Sequence, residues 1–370
     1  MKLNIHLVFM VLFLIPLCIR AQTNIPKGTI KGKVVDGESK LDLVGAQIFI
    51  KETKAGTSVV CVAYICLLCA IAILKGISIM RFANYKVFLF TLAVCVSCAN
   101  AQQADSMTYA AVTLPKTEVR YIHSSIIGEE IKIFVSLPEN YRLTDTTYYP
   151  VLYLTDANLM FAATDEIIRM MQIGRELPQL ILVGLGYKTD NLSTVFKLRS
   201  GDLTPTPIPD PQKLGWPTGG APRFIRFMRE ELFPFITKNY RVSGDVGYAG
   251  YSYGGLFGLY ALFHQPEMFK RYIIGSPSIW FDSLVTFKYE AEYAAGHSDL
   301  PARVFISIGG LEPRAYTETA TTTNVKQLED LLQSRHYPGL HLQTVVFERE
   351  THLSGVAPSI SRGLREIYKE

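Results

Sequence analysis

The chain has 370 residues, 48% of them hydrophobic, and a formal net charge of +4. That length suits one large domain or two ordinary ones, and charges of both signs are interspersed without a basic block. A small-molecule substrate is therefore the expected partner, rather than nucleic acid. All six cysteines lie in the first hundred residues: Cys18, Cys61, Cys66, Cys69, Cys95 and Cys98. Cys66 and Cys69 have C-x-x-C spacing but no nearby histidine, which argues against a redox or zinc site.

Two segments near the N-terminus are predicted to be export signals. Residues 1–22 have a lysine near the start, an apolar run and an alanine before the expected cleavage point, as secretory signal peptides do. Residues 80–101 repeat this plan and end in an A-x-A site. Residues 58–75, between the signals, form an apolar run at the short end of what spans a bilayer as a helix. These apolar segments are the expected points of membrane contact.

Residues 23–57 are predicted to form a truncated β-rich fragment, because two short alternating strands are joined by a turn. Residues 25–57 resemble the start of the carboxypeptidase-regulatory-like domain of TonB-dependent receptors. Two export signals in one reading frame fit either a fusion of that fragment to an exported domain or a start codon placed too early. Under both interpretations the mature domain is residues 102–370, periplasmic or extracellular, and membrane-anchored only where the apolar segments are retained. Cys98 matches a lipoprotein cysteine poorly.

From Tyr109 onward, short apolar runs alternate with helical patterns. Strands are predicted at residues 131–137, 150–155, 180–186, 303–308 and 344–347, and helices at 165–173, 224–240 and 324–336. This alternation predicts an α/β fold whose mostly parallel, doubly wound sheet has helices on both faces. Residues 187–220 hold five prolines and show no helix or strand pattern. They are expected to form a lid or binding loop, with a passive surface excursion as the alternative.

Residues 250–254 spell Gly-Tyr-Ser-Tyr-Gly between a predicted strand and a predicted helix. In this G-x-S-x-G pattern the serine occupies a strained turn with its hydroxyl exposed, so Ser252 is the predicted nucleophile of an α/β-hydrolase fold. Gly250 and Gly254 are expected to avoid crowding in that turn. The backbone N–H of Tyr253 supplies one half of the predicted oxyanion hole. The alternative is a glycine-rich connection without catalysis.

A serine nucleophile needs a base, and the base histidine is best held by an acid. His352 is the one histidine that follows the last predicted strand, so it is the predicted base. Glu312 follows the strand at residues 303–308 and is the favoured acid, with Asp282 as its rival. The second oxyanion donor is expected to be a backbone N–H in the loop after residue 155, and the candidates there are Asn158 and Leu159.

Several motifs in one order resemble the putative-esterase (esterase D) family, and within it the enterochelin and bacillibactin esterases. They are Pro150-Val-Leu-Tyr-Leu-Thr-Asp-Ala, Val183-Gly-Leu-Gly-Tyr, Arg199-Ser-Gly-Asp-Leu-Thr-Pro, Glu231-Leu-Phe-Pro, Gly250-Tyr-Ser-Tyr-Gly-Gly and Ser276-Pro-Ser-Ile-Trp. The resemblance implies hydrolysis of carboxylic esters without a cofactor or metal, with Ser252 and His352 as nucleophile and base. Thr155-Asp-Ala departs from the Leu-Asp-Gly of many relatives. Some siderophore esterases are thought to use a serine–histidine dyad, which would leave Glu312 a small role.

Four side chains are predicted to line the substrate cleft: Arg199, Trp216, Arg223 and Trp280. Arginines with aromatic residues suit an anionic, catechol-bearing ester, although Arg199 and Asp202 could equally form a structural ion pair. The expected function is an exported serine esterase that works through an acyl-enzyme, with a ferric siderophore trilactone as the sharpest substrate hypothesis. A feruloyl or acetyl esterase acting on polysaccharide, an acyl-thioester hydrolase, and an acyltransferase or binding protein on the same fold are the alternatives.

Overall fold

The computed structural model describes residues 112–144, 146–208, 215–312 and 321–369. Five of the predicted N-terminal features lie outside these residues: the segments 1–22, 23–57, 58–75 and 80–101, and Cys98. Within the described ranges, no helix combines the length and apolar character needed to cross a membrane.

One sheet of eight strands forms the centre of the described domain. The strands are β1 (Thr117–His123), β2 (Glu130–Ser136), β3 (Tyr149–Leu154), β4 (Ile181–Tyr187), β5 (Val242–Tyr251), β6 (Arg271–Gly275), β7 (Ala302–Gly309) and β8 (Leu340–Phe347). The helices are α1 (Ala157–Ile173), α2 (Leu192–Leu203), α3 (Ala221–Phe227), α4 (Phe233–Asn239), α5 (Tyr253–His264), α6 (Phe281–Gly296), α7 (Thr321–Ser334) and α8 (Val356–Ile367). A π-helical turn, Met228–Leu232, joins α3 to α4.

The strand order is β1-β2-β4-β3-β5-β6-β7-β8. β1 pairs antiparallel with β2, and β2 pairs antiparallel with β4. All the other neighbouring pairs are parallel. The prediction of a mostly parallel sheet is therefore confirmed. In such a sheet the loops after the parallel strands meet at one edge, which is where ligands bind.

The core lies on both faces of this sheet. One cluster packs the helices α3, α4 and α5 against one face, and a second packs α1 and α8 against the other. Every residue of β4 is buried, as expected for a parallel strand covered on both sides. The predicted doubly wound architecture, with helices on both faces, is confirmed.

The segment 187–220 differs from its prediction, because it contains the twelve-residue helix α2. Asn191 caps the helix by accepting a hydrogen bond from the Thr194 N–H at 3.0 Å. The buried face of α2 includes Arg199, Ser200 and Asp202, so polar residues occupy positions that are usually apolar in an amphipathic helix. The apolar periodicity used to find helices in the sequence is therefore missing here.

Candidate active site

Ser252 lies on a sharp turn between β5 and α5. Its backbone has φ 58° and ψ −116°, a conformation that strains a residue with a side chain. Two hydrogen bonds hold the turn: the Ser252 N–H donates to the Gly275 carbonyl at 2.9 Å, and the Leu256 N–H donates to the Ser252 carbonyl at 2.9 Å. The turn places Ser252 at the carboxyl end of a central strand and at the N-terminus of a helix.

The two flanking glycines are required by close backbone contacts. A Cβ at Gly250 would lie 2.4 Å from the Gly254 carbonyl oxygen and 2.4 Å from the Tyr248 hydroxyl. A Cβ at Gly254 would lie 2.5 Å from Thr155 Oγ1. These distances are shorter than van der Waals contact, so a side chain at either position would force the turn apart. The prediction that Gly250 and Gly254 avoid crowding in the turn is confirmed.

The structure brings His352 and Glu312 together from two loops at the same sheet edge. His352 follows β8, Glu312 follows β7, and His352 Nδ1 lies 2.8 Å from Glu312 Oε2. An ionised carboxylate only accepts hydrogen bonds, so Nδ1 carries the hydrogen and Nε2 remains free to act as a base. The ring of Tyr251 packs edge-on against the His352 ring, with centroids 5.2 Å apart.

Glu312 is buried, with a side chain only 3% exposed. Besides His352, its carboxylate accepts from the Gly309 N–H at 3.0 Å and from the Ser276 hydroxyl. Burial alone would raise the pKa of Glu312, but the hydrogen bonds from His352, Ser276 and Gly309 outweigh it and hold the pKa below its ordinary value. Glu312 is therefore kept ionised at neutral pH.

The described residues include no direct hydrogen bond between Ser252 and His352. Ser252 Oγ instead lies 3.5 Å from Oγ of Ser278, which is buried. Catalytic hydrogen bonds are often long without substrate and tighten when it binds. Ser278 was not among the residues predicted from the sequence, although it belongs to the quoted Ser276-Pro-Ser-Ile-Trp motif.

The candidate oxyanion donors are backbone groups beside the turn. Tyr253 is the first residue of α5, and the described residues provide no acceptor for its N–H. The Leu159 N–H donates to the Asp156 carbonyl at 2.9 Å, whereas the Asn158 N–H also has no acceptor in the described part of the chain. The Asn158 side chain ties α1 to β4 through the Tyr187 N–H and carbonyl, at 2.7 and 3.0 Å. Of the two predicted donors, the Asn158 N–H is the one left unengaged.

Arg199 is a buried cation beside the turn that carries Ser252. Its Nε and Nη2 bond to the two Asp156 oxygens at 2.5 and 2.9 Å, and Nη2 also donates to the Tyr251 carbonyl at 3.3 Å. Burial alone would lower the pKa of Arg199, but the Asp156 carboxylate raises it. The alternative of an ion pair between Arg199 and Asp202 is wrong in its partner, because Arg199 pairs with Asp156, and Asp202 pairs with Arg223 at 3.2 Å.

The predicted cleft residues fall into two groups. Arg199 lies over the Tyr253 ring at 5.3 Å, and Trp280 packs on the same ring with centroids 6.2 Å apart. Trp216 stacks on Phe196, and Arg199 also lies 5.9 Å from the Phe196 ring. Arg199, Trp216 and Trp280 therefore belong to one aromatic and cationic cluster, which includes Tyr253 next to Ser252. Arg223 is half-exposed and binds Asp202 outside this cluster.

Asp282, the rival acid, is placed away from His352. It accepts a hydrogen bond from Thr206 Oγ1 at 2.6 Å and lines a groove of about 670 Å³. None of Ser252, Glu312 and His352 lines that groove. No group of three metal-ligating side chains is found in the described ranges. The arrangement at the sheet edge can supply a hydroxyl nucleophile, a base and two N–H donors for a developing oxyanion.

An eight-stranded sheet with a strained serine between a central strand and a helix defines the chain as an α/β-hydrolase. The family model described as Putative esterase matches residues 124–345, and the chain belongs to that family. The N-terminal resemblance to a receptor domain lies outside the match and is unsupported.

The relatives with named functions are also esterases. The chain is 32% identical over 270 residues to the ferri-bacillibactin esterase of Bacillus subtilis (strain 168), covering 70% of this chain and 91% of the relative. It is 30% identical over 285 residues to the siderophore triacetylfusarinine C esterase of Aspergillus fumigatus, covering 70% and 95%. The crystal structure of the BES protein from Bacillus cereus matches with a TM-score of 0.63 at 29% identity, covering 72% of this chain and all of the other. The predicted enzyme class, a carboxylic ester hydrolase, is confirmed.

Proposed function

We propose that this carboxylic ester hydrolase is an exported serine esterase that cleaves ferric siderophore trilactones through an acyl-enzyme. The observation that carries the mechanism is the contact of 2.8 Å between His352 and buried Glu312, on the sheet edge that also holds the strained Ser252. The observation that carries the substrate class is the similarity to two siderophore esterases over 70% of the chain.

In the proposed mechanism, Nε2 of His352 takes the proton from the Ser252 hydroxyl as Oγ attacks the ester carbonyl. The carbonyl oxygen becomes an oxyanion, and the backbone N–H groups of Tyr253 and Asn158 donate to it. Because α5 is twelve residues long, its N-terminus adds a favourable electrostatic contribution at this point. The C–O bond to the leaving alcohol then breaks, and His352 returns the proton to that alcohol.

Water completes the reaction. His352 accepts a proton from a water molecule that attacks the acyl-enzyme. The second tetrahedral intermediate then collapses to the free acid as the C–Oγ bond breaks, and His352 returns the proton to Ser252 Oγ. Glu312 holds the imidazole in one tautomer and stabilises the imidazolium at both stages. With three ester bonds in a trilactone, the cycle repeats on the linear product.

The aromatic rings of the cluster beside Ser252 support an aromatic ester as the substrate. Trp216 is exposed and Trp280 is half-exposed, so their rings are the proposed contacts for the acyl or alcohol part of the substrate. Arg199 would act indirectly, since Asp156 neutralises it. The export part of the proposal depends on the signal-like residues 1–22 and 80–101.

The test compares the wild-type enzyme with Ser252→Ala on p-nitrophenyl butyrate and on a ferric catecholate trilactone. Removing the nucleophile is expected to lower kcat/KM by at least about 10⁴-fold on both substrates. Ser334→Ala is the matched control, because that serine is exposed at the end of α7. Its kinetics should equal those of the wild type.

The substrate outcomes are separable. Cleavage of the butyrate ester without the trilactone would refute the siderophore assignment and leave the serine mechanism standing. Faster turnover of methyl ferulate or acetylated polysaccharide would favour the polysaccharide esterase, and preferential transfer to an added alcohol would identify an acyltransferase. Undiminished hydrolysis by Ser252→Ala would refute the mechanism itself.

A further inference from the structure

We propose that Ser276 and Tyr251 are positioning residues whose hydroxyls form a relay that orients Glu312 toward His352. This inference rests on the proposed mechanism, in which Glu312 is the acid. Ser276 is the residue after β6 and Tyr251 is the last residue of β5, so the relay crosses the two strands next to the nucleophile turn.

The Glu312 carboxylate is held at three points. Oε2 faces His352 Nδ1 at 2.8 Å, and Oε1 accepts from both the Gly309 N–H at 3.0 Å and the Ser276 hydroxyl. Gly309 is the last residue of β7 and lies only three residues before Glu312. Ser276 is therefore the contact to Oε1 that comes from a distant part of the sequence, just after β6. Removing its hydroxyl would leave Oε1 with the Gly309 N–H as its remaining donor among the described residues.

The direction of each hydrogen bond follows from the number of hydrogens. The Ser276 hydroxyl carries one hydrogen, and ionised Glu312 can only accept. That hydrogen is therefore donated to Glu312, and the contact of 2.8 Å between Ser276 Oγ and the Tyr251 oxygen is donated by Tyr251. Burial raises the pKa of the Tyr251 hydroxyl, so it stays protonated and able to donate. The relay runs from Tyr251 to Ser276 to Glu312 to His352.

The backbone of Ser276 gives a second, independent indication. Its φ is 37°, in the left-handed region that favours glycine, and the residue is 2% exposed. Its N–H donates to the Ser307 carbonyl at 2.7 Å, which fixes this conformation. Glycine would suit the backbone better, yet the chain places a hydroxyl there. Strain at a buried polar residue beside a catalytic group is typical of a functional position.

The Tyr251 side chain is packed closely against Gly275 and Gly355, which fixes the position of its hydroxyl. A Cβ at Gly275 would lie 2.3 Å from its ring, and a Cβ at Gly355 would lie 2.7 Å from its hydroxyl oxygen. The same ring contacts His352, with centroids 5.2 Å apart. One side chain therefore supports both the acid, through Ser276, and the base, through ring contact.

The test uses Ser276→Gly and Ser276→Ala, assayed with p-nitrophenyl butyrate across pH. Both variants are expected to lower kcat about tenfold with little change in KM, because a hydrogen bond to the ionised acid is lost. The titratable groups around Glu312 are His352, Tyr251 and, beyond Tyr251, Glu350. A carboxylate that loses a donor is more basic, so the acid limb of kcat/KM should move to higher pH. Tyr251→Phe should also move the acid limb of kcat/KM to higher pH, by a smaller amount than the Ser276 variants.

Measurements of Tm distinguish a positioning role of Ser276 from a purely structural one. Both variants lose the hydrogen bond to Glu312, but Ser276→Gly also relieves the positive φ that Ser276→Ala keeps, so its Tm should exceed that of Ser276→Ala while kcat falls equally in both. Ser307→Ala is the matched control, since that buried hydroxyl bonds to Ser359 at 2.7 Å rather than to the acid. It should lower Tm without moving the pH profile. An unchanged kcat and pH profile in both Ser276 variants would overturn the proposal.

A double mutant separates this proposal from the mechanism on which it rests. Ser276→Ala added to Glu312→Gln should lower kcat no further, because the relay acts through the acid. Additive losses would refute the relay while leaving the acid role intact. A Glu312→Gln enzyme with wild-type kcat would refute the acid role first, and the relay would be rejected with it.

Discussion

Ser252 carries a conformation that few non-glycine residues adopt, and its neighbours make that conformation accessible. The Gly275 carbonyl binds its N–H, and the first turn of α5 binds its carbonyl. Gly250 and Gly254 leave no side chain in a space where Thr155, Tyr248 and the helix backbone already meet. At the scale of single residues, the crowding around the Ser252 turn therefore decides which residues fit at positions 250 and 254.

Gly250→Ala is expected to destabilise the enzyme by about 1–3 kcal/mol and to lower kcat at least about tenfold, because overpacking displaces the nucleophile turn. The measurement is urea unfolding together with kcat on p-nitrophenyl butyrate. Gly244→Ala is the control in the same strand, since a Cβ there would meet nothing within 4 Å. Its free energy of unfolding should stay within about 0.5 kcal/mol of the wild-type value. Equal effects of the two substitutions would contradict the crowding argument.

At the scale of elements, α2 is organised by charges instead of an apolar face. Arg199 reaches Asp156 at the start of α1, and Asp202 reaches Arg223 on α3. Burial raises the pKa of Asp202 to about 6, despite the attraction of Arg223. The folded state therefore binds the Asp202 proton more tightly than the unfolded state does. This contribution to stability is present at low pH and is lost as pH rises toward and through about 6.

Asp202→Asn removes this titration. The wild type should lose on the order of 2 kcal/mol of stability at this residue between pH 4.5 and 7.5, and the variant should not. The measurement is the free energy of unfolding at both pH values. Asp190→Asn removes an exposed carboxylate just before α2 and changes the net charge by the same amount as Asp202→Asn. That control should follow the wild-type pH dependence. A parallel pH dependence in Asp202→Asn would show that Asp202 does not carry the effect.

At the scale of the whole domain, helix α8 covers one face of the sheet and directly follows the loop that carries His352. α8 packs on β6, β7 and α1, and a Cβ at Gly363 would lie 2.6 Å from Ile273. Arg271 joins the end of α8 to β5, by donating to the Ile367 carbonyl and binding Asp245 at 2.8 Å. The helix that follows the His352 loop is therefore held by contacts between residues far apart in sequence.

Leu364→Ala is expected to lower the free energy of unfolding by about 2–5 kcal/mol, because Leu364 is fully buried between α8 and the sheet. Chemical denaturation measures the change. Arg362→Ala, on the exposed face of the same helix, should cost at most about 0.5 kcal/mol. Comparable losses from the two variants would mean that α8 does not close the core as described.

The sequence alone was sufficient for the α/β class, the parallel sheet and the nucleophile turn. These depend on local patterns, namely buried strands, helical periodicity and two glycines around a serine, which are readable within a few residues. The order of chain segments was also sufficient to select Ser252, Glu312 and His352 as candidates. Their catalytic roles remain predictions. The export signals remain predictions of the same kind.

The tertiary structure decided which groups meet. Asp156 rather than Asp202 binds Arg199, and Glu312 rather than Asp282 contacts His352, because sheet register and loop paths set those distances. α2 had no apolar stripe to reveal it, since Arg199, Ser200 and Asp202 lie on its buried face, and the partners of the two charged residues come from the start of α1 and from α3. The contacts that lead from Tyr251 through Ser276 to Glu312 join residues at or just after the ends of β5, β6 and β7. Such contacts have no local signature, because sequence separation hides the distances on which hydrogen bonds depend.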